Sequence, residues 1–498
     1  MAVVGIVITA SPLLYLALKL EQAGWSAMTN ALFRWRTVEL LGRSVLLTVA
    51  VAASAVLIGG AQAWLTTRTN LPRARFWSTA AAVPLALPSY VIAFSWLSLN
   101  PRLSGFGAAW LVLTISTTPF AYLTISAALL RSDSALEDVA RSLGQSRLQI
   151  LRRVVWPRLQ SAVRNAGLIA ALYTLSDFGA VSLLRYDTFT RAIYNAYRTS
   201  FDRNIAAGLS IVLIIITAVL LRWQLRAQVG SEGRTLRPSR TDLGNWRRPA
   251  EIALAAWTLL SVLVPVSMLV VWNLRGQSTA VSADIAAALF NSLTLGALGG
   301  VFATALAIAL ALTLTHFRSR LSPIVNASVW LAHALPGVVI ALALVYFSNV
   351  ATPFLYQTTF LVVIAYVALF TANAVGALQA PLAQVSLSLT DVARSLGHDT
   401  NSVVRRVILP MLRPSMLIAF AIVMLTCLKE LPATLLLRPT GMETLATRLW
   451  NYTGVSAFSA AAPYALLIVL LGGIPTWLLN AQVRRLQRAE LETAGSMS

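Results

Sequence analysis

The sequence predicts an all-α integral membrane protein of about twelve transmembrane helices, arranged as two parallel six-helix repeats. Three observations predict it: an apolar composition, apolar stretches of spanning length, and near-literal repetition of one half in the other. Of 498 residues, 57% are hydrophobic and 11% charged, with a mean hydropathy of +0.72. Ordinary soluble domains carry about 45–50% and about 25%, and a chain this apolar would expose far too much apolar surface as a soluble globule. The formal net charge is +21. Nucleic-acid binders place such an excess on a polar, solvated face, whereas here the charges lie between long apolar runs, so no nucleic acid is implied and a lipid bilayer is.

Stretches of about 17–25 apolar residues cross a hydrocarbon core of about 30 Å as helices. The first half holds six, at residues 2–18, 44–65, 77–98, 107–130, 162–184 and 205–223. The second holds six more, at 251–273, 288–314, 324–350, 357–380, 414–437 and 460–480. The stretch at 2–18 carries Pro12 and lacks the charged start and cleavage pattern of a secretory signal, so it is read as an uncleaved helix. Residues 1–223 then form the first transmembrane repeat, 224–250 a polar cytoplasmic linker with Gly230, Gly233, Pro238 and Gly244, and 251–498 the second repeat. Arginine orients the spans, because basic residues concentrate in cytoplasmic segments. With both termini cytoplasmic, 26 of the 37 arginines fall inside and 11 outside.

The repetition is the strongest signal. Asp138-Val139-Ala140-Arg141-Ser142-Leu143-Gly144 recurs letter for letter as Asp391-Val392-Ala393-Arg394-Ser395-Leu396-Gly397. Arg152-Arg153-Val154 matches Arg405-Arg406-Val407, and a proline stands 13 residues after each glycine, at Pro157 and Pro410. Upstream, Ala86-Leu87-Pro88 and Val91-Ile92-Ala93 match Ala334-Leu335-Pro336 and Val339-Ile340-Ala341. Six spans per half bring both halves into the membrane in the same sense, related by a pseudo-twofold axis along the membrane normal that encloses a path between them.

Each motif copy lies in the arginine-rich loop after the fourth span. Val139 and Leu143, like Val392 and Leu396, are four apart and share one helical face. Asp138 and Asp391 stand at the front, where a carboxylate suits a helix N-terminus. Gly144 and Gly397 suit the left-handed turn that ends a helix, and a second apolar-basic helix then runs up to the proline. One copy alone reads equally as an amphipathic loop resting on lipid headgroups. Two copies at symmetric places suit a duplicated docking surface for a two-fold partner.

The spacing acid-x-Ala-x-x-x-Gly, nine residues, then Val-x-x-Pro resembles the "EAA" loop of type I ABC importer permeases. Its slots hold Asp138, Ala140, Gly144, Val154 and Pro157, then Asp391, Ala393, Gly397, Val407 and Pro410; Asp-Val-Ala replaces the usual Glu-Ala-Ala, with the spacing intact. The resemblance covers essentially the whole chain. It implies that Asp138, Ala140, Arg141, Gly144 and Pro157, with Asp391, Ala393, Arg394, Gly397 and Pro410, form two coupling loops. These would seat on two copies of a cytoplasmic ATP-binding subunit in a bacterial inner membrane.

After each motif comes a span with charge at membrane depth, Ser176-Asp177-Phe178-Gly179-Ala180 and Lys429-Glu430-Leu431-Pro432-Ala433, with Asp177 matching Glu430. Ionisable groups there are costly and face a bundle interior or a water path. Two readings stand: Asp177, Lys429 and Glu430 line a translocation path, or Lys429 and Glu430 simply neutralise or pair with partners across the interface. The run from Lys429 to Pro439, followed by Thr444-Leu445-Ala446 and Trp450, resembles fused ferric-iron ABC permeases, as do the residues around Asp177. That resemblance implies an extracytoplasmic iron-binding protein as a further partner, and hard Fe³⁺ suits carboxylate oxygen. Thiamine, polyamine and oxyanion importers share the architecture.

Other chemistry is narrowed by residue type. The two lysines, Lys19 and Lys429, each follow leucine, so neither completes a Gly-Lys-Ser/Thr phosphate loop. The chain is therefore read as no enzyme, with no catalytic residue, no cofactor of its own and ATP held by the partner. A single cysteine, Cys427, excludes an internal disulfide, and His316, His333 and His398 form no cluster, so no resident metal site is expected. Tyr186, Phe189, Tyr194 and Tyr197 read as an interfacial belt or docking face. An ion-gradient transporter would explain the repeats and buried charge but not the paired cytoplasmic motif. A docking platform without transport would predict no substrate flux.

Overall fold

The computed structural model describes residues 34–131, 134–198, 203–227, 241–275, 282–315, 322–385, 395 and 399–473. Among them every regular element is helical, apart from an isolated parallel bridge between Thr69 and Thr241. The first repeat contains α1 (Trp35–Arg68), α2 (Ala74–Ala82), α3 (Ser89–Leu99), α4 (Gly105–Arg131), α5 (Ser134–Ser142), α6 (Trp156–Ser176), α7 (Gly179–Leu183), α8 (Phe189–Arg198) and α9 (Arg203–Ala227). The second opens with α10 (Arg247–Thr258) and α11 (Val264–Arg275), joined by a π-helical turn at Leu259–Leu263. It continues as α12 (Ser282–Thr315), α13 (Ser322–Ala334), α14 (Gly337–Ala351), α15 (Thr359–Gln384), α16 (Leu409–Leu428), α17 (Pro432–Leu437), α18 (Leu445–Gly454) and α19 (Phe458–Gly473).

Seven helices among the described residues are long and apolar enough to cross a membrane, or up to nine if each of two bent pairs is one span. The expected span at 2–18 and the end of that at 460–480 lie outside the described residues. Two of the expected spans are bent. Over 77–98 the chain bends by 94° between Ala74–Ala86 and Ser89–Leu99, and over 324–350 by 106° between Ser322–Ala334 and Gly337–Ala351. The breaks fall at Leu87-Pro88 and Leu335-Pro336. Proline has no N–H for the helical ladder and drives the residue before it into extended backbone; Leu87 sits at φ −92°, ψ 116°. The spans expected at 162–184 and 414–437 are broken too, at Asp177-Phe178 and from Lys429 to Leu431.

In each repeat three long helices pack together: α1, α4 and α6 in the first, α12, α15 and α16 in the second. Their buried hydroxyls bond back along their own helices, Thr117 Oγ1 to Leu113 O at 2.7 Å, Thr118 Oγ1 to Thr114 O at 2.7 Å and Thr371 Oγ1 to Val367 O at 2.5 Å. Such groups need an internal partner where no water can supply one. The halves interlock. Helix α11 packs on α3, α8 on α14, and α9 on α13. Phe94 of α3 and Trp272 of α11 meet Phe458 of α19, with ring centroids 5.9 and 5.7 Å apart.

Candidate functional site

The first copy of the motif folds as the helix and turn its spacing predicts, with one correction. Helix α5 begins at Ser134, so Asp138 lies past its first turn; the acid in that turn is Glu137. Asp138 is exposed and pairs with Arg141 at 2.8 Å. Ala140 is buried, whereas Val139 and Leu143 are 54% and 74% exposed. The shared apolar face therefore points away from the bundle. Gly144 ends the helix at φ +76°, the left-handed backbone at which a side chain is strained, and Gln145 N–H closes on Ala140 O at 3.1 Å. Asp391, Ala393, Arg394 and Gly397 of the second copy lie outside the described residues, as do His316 and His398.

Pro157 and Pro410 do not end a helix, as the sequence suggests they would. Each lies in the first turn of a long helix, α6 or α16, entered through a π-helical turn at Leu151–Val155 or Val404–Ile408. A wider turn is a way to carry the chain past a residue without an N–H.

The intramembrane carboxylates sit where helix breaks meet. Asp177 follows the end of α6, and its Oδ1 accepts from Ala180 N–H at 3.0 Å and Val181 N–H at 3.3 Å, capping α7. Its Oδ2 accepts from Ser89 Oγ, the first residue of α3 after the Pro88 break. Glu430 repeats the pattern. Its Oε1 accepts from Ala433 N–H at 3.0 Å, at the start of α17, and lies against Gly337, the first residue of α14 after the Pro336 break. A Cβ on Gly337 would stand 2.5 Å from that oxygen. Each carboxylate thus faces the positive ends of two helices, which favour negative charge.

The residue before each carboxylate reaches into the other repeat. Ser176 Oγ donates to Ala334 O at 3.4 Å, and Lys429 Nζ donates to Leu85 O at 3.4 Å. Both acceptors lie beside the proline breaks. Among the described residues no ion pair joins Lys429 to Glu430; Lys429 instead has its partner across the interface, at Leu85 O. Structure and sequence also agree on a match that sequence reading did not single out: Ser44 Oγ accepts Phe189 N–H at 3.2 Å, and Ser292 Oγ accepts Leu445 N–H at 2.9 Å. Each serine caps the short helix, α8 or α18, that follows the carboxylate break.

The aromatic group expected at the membrane surface is a correction. Tyr186 and Phe189 are buried, and Tyr194 packs on Phe178 with centroids 4.7 Å apart. Phe178 also meets Trp450 of the other repeat at 5.2 Å. Phe189 and Tyr194 belong to α8, which packs against α14, and Tyr186 lies just before that helix. Cys427 is buried, and His333 Nδ1 lies 2.8 Å from Leu369 O.

Sequence reading missed the most deeply buried ion pair among the described residues. Arg68 Nη1, at the end of α1, contacts Glu137 Oε1 of α5 at 2.8 Å, with side chains 2% and 9% exposed. The available signal was a lone basic residue ending a span and an acid preceding the repeated seven.

A family model described as "Binding-protein-dependent transport system inner membrane component" matches twice, at residues 56–226 and 299–488. The chain is 36% identical over 480 residues to the Haemophilus influenzae Fe(3+)-transport system permease protein FbpB 2, covering 94% of this chain and 95% of that protein. It is 26% identical over 201 residues to the putative 2-aminoethylphosphonate transport system permease protein PhnV of Salmonella typhimurium, 40% of this chain and 74% of that one. It is also 24% identical over 230 residues to the sulfate transport system permease protein CysT of Salmonella typhimurium, 42% of this chain and 83% of that one.

Proposed function

Because the chain belongs to the binding-protein-dependent transport system inner membrane components, we propose that it is the permease of an ATP-binding cassette importer carrying ferric iron across the bacterial cytoplasmic membrane by alternating access. The observation that carries this reading is the double family match, joined to near end-to-end similarity with a ferric-iron permease. The 2-aminoethylphosphonate and sulfate permeases match over less than half of this chain, so they speak for architecture rather than cargo.

In this reading twelve spans leave both termini in the cytoplasm, and the chain holds no cofactor. Two copies of an ATP-binding subunit seat on the loops around Asp138–Gly144 and Asp391–Gly397, the first through the exposed Val139 and Leu143. An extracytoplasmic iron-binding protein delivers the cargo. Closure of the ATP-binding subunits moves the halves, and Asp177, Lys429 and Glu430, at the helix breaks between them, form part of the barrier and its path.

Labelled uptake in a deletion strain, with and without this gene, tests the cargo: ferric ion uptake is restored and thiamine or sulfate uptake is unchanged. Restoration of another substrate in place of iron refutes the iron assignment. Replacing both turn glycines, Gly144→Asp plus Gly397→Asp, abolishes co-purification with the ATP-binding subunit; an intact complex that still transports refutes the coupling assignment.

A further inference from the structure

The first coupling loop is held to the bundle by a buried ion pair. Helix α5 presents Glu137 and Ala140 inward, and Glu137 meets the guanidinium of Arg68 in a nearly water-free contact at 2.8 Å. Arg68 Nε and Nη2 are buried with no partner, so Glu137 is the one side-chain acceptor this guanidinium has among the described residues. If the loop moves, Arg68 must follow its carboxylate or remain charged, buried and alone, which is the most costly state for an ion.

The same end of α1 also receives the end of the linker. Thr241 N–H donates to Arg68 O at 2.8 Å and Asn70 N–H to Thr241 O at 3.2 Å. Asn70 Nδ2 donates to Asp242 Oδ1 at 2.6 Å, and Leu243 N–H to Asn70 Oδ1 at 3.1 Å. The chain that leads into α10 is therefore stitched to the turn that Glu137 grips.

The repeat register that pairs Ser44 with Ser292 and Pro88 with Pro336 places His316 at the Arg68 position. The register that pairs Asp138 with Asp391 places Thr390 at the Glu137 position. Threonine carries no charge, so these residue types deny the second half the same ion pair.

We propose that the two coupling loops are mechanically unequal: Arg68 is a positioning residue that ties the first loop to α1 and to the entry of the second repeat, so movement of one ATP-binding subunit is transmitted through the Arg68–Glu137 contact. This rests on the importer reading above. The test uses the assembled transporter, with its ATP-binding subunit and binding protein, in proteoliposomes, reading ferric ions taken up per ATP hydrolysed. Glu137→Gln keeps the shape and removes the charge. It lowers that ratio at least fivefold while the amount of co-purified ATP-binding subunit stays within twofold of wild type, and Glu137→Asp recovers part of the ratio. Thr390→Ala and His316→Gln leave the ratio within twofold of wild type.

If the Glu137→Gln complex does not assemble, Arg68→Lys is read instead, and it too lowers the ratio, because one ammonium replaces the planar guanidinium fork. A wild-type ratio in the variant that is read, or an equal fall in Thr390→Ala, overturns the proposal. Absence of ATP-dependent uptake in the wild-type complex is a different result: it refutes the importer reading itself.

Discussion

Asp177 and Glu430 hold matching places with side chains of different length, and their neighbours differ in the opposite sense. The shorter acid faces Ser89, which donates to it, and the longer faces Gly337, which leaves it room. The second repeat gains a methylene on the acid and lacks the hydroxymethyl group that Ser89 presents to Asp177. Gly337→Ser alone therefore overpacks the site, with an expected loss of about 1–3 kcal/mol, and lowers the melting temperature of the purified protein. Adding Glu430→Asp rebuilds the first repeat's pair in the second and recovers stability, with a coupling of about 0.5–3 kcal/mol in a double-mutant cycle. Strict additivity of the two changes would show that the sites are not interchangeable. Glu430→Gln keeps the size and removes the charge facing α14 and α17; uptake falls while the complex assembles, and normal uptake would leave Glu430 a structural role only. The match of Asp177 with Glu430 was legible because both follow the repeated motif at one spacing. Their partners were not, because Ser89 lies 88 residues from Asp177 and nothing in a linear pattern joins them.

At the scale of elements, the two serine caps give a prediction in which symmetry does the work. Ser44→Ala and Ser292→Ala each remove the acceptor for the first N–H of a short helix, α8 or α18. A lost cap costs about 1 kcal/mol, and thermal unfolding in detergent should show two similar losses. A large difference between them would mean that the repeats bear load unequally at this point. Helix α5 was legible from the four-residue spacing of Val139 and Leu143 and from Gly144. The bends at Pro88 and Pro336 were present in the repeated Ala-Leu-Pro, but apolar length alone cannot distinguish a straight span from a bent one. The π-helical entries to α6 and α16 answer to Pro157 and Pro410, a residue type that in isolation argues for a helix end. Arg68 and Glu137 are 69 residues apart and on different helices, so their pairing emerges only from packing.

Across the whole molecule the duplication was the most legible feature, since identical letters at matching places need no folding argument. How the halves grip one another was not, because α11 on α3 and α9 on α13 are contacts between apolar faces that any partner helix could satisfy. That grip predicts that continuity of the linker is dispensable for assembly. Two polypeptides divided between Gly230 and Ser231 and expressed together should co-purify, and failure to do so would show that the covalent tether holds the halves. The reciprocal contacts of Ser176 with Ala334 and Lys429 with Leu85 have a further consequence. Each break is fastened by a residue from the opposite half, so loosening one withdraws the fastening of the other. If the breaks form the barrier proposed above, it holds or yields as a unit, and in an energised membrane that would amount to electrical insulation: partly loosened states, through which protons would drain the membrane voltage, are the ones this stitching would disfavour.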